Sequence, residues 1–181
     1  MSTGVITTYT KTMKLAMGLR VDTVPRWAVV PTVQRQTVGG HIQRGAAILM
    51  FLKPHLNVSG LIFSQVLEEW LEHDEDEAIT GDAPSPSKGK PNELPPCQKK
   101  AIVKMVDWLE ARQFLREECN FGNHYARPKG PVAQDLRRKL DLIPSAGLFK
   151  WYGLDPRDLL DEALASVHEH PGMEGGLHER S

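Results

Sequence analysis

The chain has 181 residues, a net charge of -1 and a pI near 6.7, so no global positive field suits it to nucleic acid, and any anion site must be local. Its length is enough for one domain with a substantial core. No run of 18 apolar residues occurs, the first residues lack a signal peptide's apolar centre, and Cys97 and Cys119 lack CxxC spacing; the expectation is a soluble cytoplasmic protein with two free thiols.

Apolar spacing predicts a first helix over Thr7–Leu19, with Tyr9, Met13, Ala16 and Met17 on its inner face. Pro25 then breaks the chain, and Arg26 stands beside Trp27: a guanidinium fork for phosphate next to a flat surface for a sugar or base. A second helix is expected over Val38–Leu56, with His41 near its start. Either Asn57 or Ser59 opens a third, striped by Ile62, Val66, Leu67, Trp70 and Leu71 and ending at the His73-Asp74 pair.

Neighbouring helical residues point about 100° apart, so His73 and Asp74 share an ion only if it lies over the seam between them and other helices add ligands. Glu77 follows within one turn, beside both. By itself the run EEWLEHDEDE reads equally as an acidic solvated face. From Gly81 the composition changes to GDAPSPSKGKPNELPP, a loop by its turn chemistry, and loops carry binding residues more often than helices do.

Residues 97–118 form a strong helical pattern, with Ile102, Val103, Val106, Leu109 and Leu115 on the buried stripe. Asp107 lies at the edge of that stripe, where an unpaired carboxylate is costly; its partner is Lys104, Arg112 or a metal ion. Further helices are expected over Pro131–Leu142 and after Asp155, which caps a turn begun by Pro156. Strand signals are nearly absent, so the fold class is all-α, one domain over residues 1–165 with a tail at 166–181.

His41, His73, Asp74 and Asp107 come from three expected helices, and two imidazoles with two carboxylates suit a borderline divalent ion. The pattern H…HD…D resembles that of the HD-domain metal-dependent phosphohydrolases. The likeness is densest to the branch with Arg-Trp, a His fifteen residues after the Arg, a run HDxxExxTGDxPxPxK and a later Asp: here Arg26-Trp27, His41, residues 73–88 and Asp107. That branch includes the bacterial 5′-deoxynucleotidases and the small bacteriophage dATP triphosphohydrolases of viruses that use 2-aminoadenine.

The resemblance implies an HD-domain helical bundle, with a zinc, cobalt or manganese ion on His41, His73, Asp74 and Asp107 and a second ion near Glu77 and Asp82 as a further option. It implies catalysis by Glu77, a hold on the sugar hydroxyl by Asp82, phosphate contacts by Arg26 and Lys88, and exclusion of a ribose 2′-OH by Trp27. Pro86 is expected against the base, and Gln36 to read an adenine edge through its amide. The compact segment after Pro84, and more positive charge (Arg26, Lys88, Lys90) than one phosphate needs, favour dATP cleaved to deoxyadenosine and triphosphate, over release of phosphate from deoxynucleoside monophosphates. A non-catalytic nucleotide-sensing module is the alternative of another class. The expected partners are the small-molecule deoxynucleotide and further copies of the chain in a homo-oligomer, with no membrane or nucleic acid.

Overall fold

A computed structural model describes residues 11–27, 31–81 and 94–168. Seven α-helices order these residues: α1 (Lys11–Arg20), α2 (Val38–Leu52), α3 (Gly60–Glu72), α4 (Glu77–Thr80), α5 (Gln98–Asn120), α6 (Pro131–Leu140) and α7 (Pro156–His168). Among the described residues there is no strand; two isolated antiparallel bridges, Pro25 to Thr37 and Leu56 to Phe149, pin loops to the bundle. The all-α expectation holds, and no described helix is long and apolar enough to cross a membrane.

The caps explain most boundaries. The Ser59 side chain accepts from the Ile62 N–H and the Thr37 side chain from the Gly40 N–H, which resolves the choice between Asn57 and Ser59 as the start of α3. The second helix stops at Leu52 rather than Leu56: Lys53 keeps helical angles as its C-cap, but Pro54 has no N–H to carry the hydrogen-bond ladder further. Asp155 caps α7 through the Arg157 N–H. Of the first helix's expected face, Met17 is buried against Val21 and Val38, Ala16 is exposed and Tyr9 lies outside the described residues.

α5 is the axis of the bundle. It packs against α2, α3 and α6, and burial continues past its expected stripe to Ala101, Met105, Trp108, Ala111 and Phe114. A helix covered this completely accepts a polar side chain only where partners meet it. Glu110 and Glu118 are both fully buried on it, and they organise the site.

The third helix ends next to the His73-Asp74 pair, as expected, and Glu77 opens a helix of its own. His73 caps α3, a turn over residues 73–76 follows, and α4 begins at Glu77 with its N–H on the Asp74 carbonyl at 3.1 Å. At this end of α3 the Trp70 carbonyl accepts from His73 Nδ1 at 2.5 Å, which folds the ring back onto the last turn. Cys97 and Cys119 are free thiols, as expected.

Candidate metal centre

His41 stands in the first turn of α2 and is fully buried. Its Nδ1 lies 2.7 Å from Glu110 Oε2. The same nitrogen lies 2.6 Å from Arg26 Nη1, which shares that carboxylate oxygen. With the proton on Nδ1 donated to the carboxylate, the lone pair is left on Nε2. His41 Nε2 has no hydrogen-bond partner and faces Asp107 Oδ1 at 3.6 Å and Asp74 Oδ2 at 3.8 Å. His73 follows the same logic: its Nδ1 donates to a carbonyl, and Nε2 lies 3.2 Å from Asp74 Oδ2. Ligand atoms of His41, His73 and Asp107 all lie within 4.8 Å of one another. Two imidazole nitrogens and the Asp107 carboxylate form a donor set that fits a divalent cation, with Asp74 Oδ2 beside both histidines.

Trp70 sets the angle of both rings. Its indole stacks on His73 at 4.3 Å, meets His41 edge-on at 5.1 Å and donates to the Ile42 carbonyl at 2.8 Å. α2 comes this close to α3 because position 45 is glycine; a Cβ there would stand 1.8 Å from Trp70 Cζ2.

The electrostatics are those of a buried cluster of both signs. Burial lowers the His41 pKa against the opposing pull of Glu110. At His73 burial also lowers, but Asp74 and Asp107 outweigh it and the ring is raised. Burial would raise the Asp107 carboxyl, yet Lys104 and Arg26 hold it well below the usual range. Lys104 Nζ sits 2.7 Å from Asp107 Oδ2, so the lysine named as partner from sequence is present beside the cluster, while Arg112 turns to Asp161.

Arg26, Trp27 and residues from Pro31 to Gln36 make contacts along one face of α5. Arg26 bridges Asp107 (2.9 Å) and Glu110 (3.1 Å), Trp27 stacks on Phe114 at 5.4 Å, and Glu118 accepts the Val33 and Gln34 N–H groups at 2.6 Å each. Asn123 donates to the Pro31 carbonyl and to Glu118. Positions 107, 110, 114 and 118 recur at helical spacing, so one stripe of α5 receives all of these contacts. Trp27 has φ of 67°, a left-handed backbone unusual for a bulky residue and costing on the order of 1–3 kcal/mol.

Two expected substrate contacts are turned inward. The Arg26 guanidinium, expected on phosphate, joins the carboxylates beneath the metal site. The Gln36 amide, expected on an adenine edge, accepts from Trp27 Nε1 at 2.7 Å and donates to Glu110 Oε1 at 2.7 Å. Glu77 is buried one turn beyond Asp74, whereas Asp82, Pro86 and Lys88 lie outside the described residues. The residue that sequence reasoning missed is Glu110. Its signal was legible: it lies four residues after Val106, on the apolar stripe, and three after Asp107.

Histidines and an aspartate from three helices, close enough to share one ion, are the arrangement of a helical metal-binding fold. The HD domain family model matches residues 20–121, more than half of the sequence, and the chain belongs to the HD domain family. Among solved structures the fold is similar to that of the cyanophage S-2L HD phosphohydrolase (DatZ) bound to dA and one catalytic Zn2+ ion. The TM-score is 0.59 over 90% of this chain and 99% of that one, at 17% identity. No curated protein sequence matches the chain.

Proposed function

We propose that the chain is a divalent-metal-dependent phosphohydrolase of deoxynucleotides that cleaves dATP to deoxyadenosine and triphosphate. The observation that carries the metal reading is His41 Nε2: a buried lone pair without a hydrogen-bond partner, facing Asp74 and Asp107. His41, His73, Asp74 and Asp107 would hold the ion, zinc, cobalt or manganese by their donor types. When bound, the ion makes a water acidic enough to attack at neutral pH and neutralises charge on the phosphate.

The protein residues then divide the remaining work. Water adds to the α-phosphorus, the bond to the 5′ oxygen breaks, and a proton must pass from the attacking water to that oxygen. Glu77, one turn from Asp74, is the group assigned to carry it. Trp27 walls the sugar and disfavours a 2′-OH, Asp82 holds the 3′ side, and Lys88 with Pro86 meet phosphate and base from the loop. The triphosphate product and the adenine base rest on the sequence resemblance, supported by the cyanophage protein, whose structure holds dA and a catalytic zinc.

One observation favours the monophosphate alternative. Arg26 is engaged with Asp107 and Glu110, so less positive charge is available for a triphosphate than the sequence count implied. A single assay separates the two readings: incubation with dATP and with dAMP in zinc, cobalt or manganese, with the products identified. Triphosphate and deoxyadenosine from dATP are expected. Inorganic phosphate from dAMP with dATP untouched overturns the first reading, and no turnover of either leaves the sensing module.

A further inference from the structure

Glu110 is fully buried, and each of its oxygens is met by two donors. Oε2 faces His41 Nδ1 at 2.7 Å and Arg26 Nη1 at 3.1 Å; Oε1 faces Gln36 Nε2 at 2.7 Å and Arg44 Nε at 2.8 Å. Arg44 is itself fixed by a two-pronged pair with Glu117 at 2.8 and 3.0 Å. From this carboxylate two arms run in different directions. One ends at the His41 lone pair, and the other passes through the Gln36 amide to the indole N–H of Trp27, whose backbone is held at φ 67°.

We propose that Glu110 is a positioning residue that sets the metal ligand and the sugar wall together. The carboxylate draws the His41 hydrogen onto Nδ1 and holds Arg26 Nη1, 2.6 Å from that nitrogen, on the same oxygen, and its charge makes the imidazole a stronger ligand. The same carboxylate orients the Gln36 amide: with its nitrogen committed to Glu110, its oxygen must face Trp27. The ring is thereby kept stacked on Phe114 at an interplanar angle of 16°. Gln36 accordingly acts behind Trp27, with both ends of its amide engaged inside the protein.

The inference rests on the metal and substrate reading above, and it is tested without turnover so that the two can fail separately. Zinc affinity is measured by competition with a chromophoric chelator, and the Trp27 indole N–H is followed by 15N-resolved NMR, assigned with Trp27→Phe. Glu110→Gln keeps the size and removes the charge; its zinc affinity is expected to fall about 10- to 100-fold. Gln36→Leu cuts only the second arm: zinc affinity stays within about twofold, because the metal ligands keep their contacts, while the indole resonance moves. Folded Glu110→Gln protein that binds zinc as tightly as the parent overturns the first arm. An indole resonance unmoved by Gln36→Leu overturns the second. A glutamate with only a structural role lowers the melting temperature and moves neither readout.

Discussion

Two regions of α5 handle the same residue types in opposite ways. Towards the start of the helix, Arg26, Asp107, Glu110 and His41 interlock with side-chain exposures of 14, 16, 0 and 0%. Towards its end, Arg112 and Arg116 grip Asp161 of α7 at the surface, and Arg157 bonds Asp155 and Asp141, around a cavity of about 640 Å³ floored by Leu115, Leu136 and Leu140. The outer arginines and aspartates pair with one another and dock a helix. In the inner cluster the pairing leaves a histidine lone pair over, and that residue of unsatisfied chemistry distinguishes a site from a strut.

The comparison breaks first, and hardest, at the ligands. His73→Ala should leave protein that loses zinc on gel filtration and turns over dATP more than about a thousandfold more slowly, because it removes a ligand and not merely a contact. Glu77→Gln should lower turnover by about 10²- to 10⁴-fold with zinc retained, the size of a lost proton carrier; retained activity would remove Glu77 from its assigned role. Gly45→Val forces a side chain into the Trp70 ring and should cost about 1–3 kcal/mol in thermal or urea unfolding. A melting temperature equal to the parent's would mean that the α2–α3 approach is not fixed by that contact.

The smallest effect belongs to the outer region. Asp161→Asn should cost less than about 1 kcal/mol at neutral pH, the range for exposed pairs, with zinc binding and turnover unchanged. The hydrogen bond from Arg112 depresses the Asp161 carboxyl, with Arg116 adding to it. A carboxyl depressed on folding contributes stability above its unfolded pKa of about 3.9 and loses it as pH falls through the folded value. The gap between parent and variant should therefore be open at pH 7 and close below about pH 4. A gap that persists in acid, or a variant with impaired turnover, would erase the distinction between the two regions.

Much of this was legible in the order of residues, because the rules involved are local. Apolar recurrence marked the helices, Ser59 and Asp155 marked caps, and residues 41, 73, 74 and 107 could be grouped by donor chemistry before any coordinates, although the expected second helix runs past Pro54 to Leu56. The helix end at His73-Asp74 was marked, but not the turn over residues 73–76 that gives Glu77 a short helix of its own, because a histidine ring bonded to the Trp70 carbonyl looks, in sequence, like any other helical residue. The inward turn of Arg26 and Gln36 escaped for a different reason: the α5 carboxylates that capture them are 81, 84 and 74 residues away along the chain.

Sequence by itself determined an all-helical chain with a borderline-metal donor set, since helix periodicity and ligand type are properties of residues and near neighbours. Tertiary structure alone decided which nitrogen of each histidine faces the site, that Glu110 lies beneath it, and that Gln36 supports Trp27. Those outcomes depend on burial and on partners from distant segments, and a buried carboxylate takes whichever donors the packing brings to it.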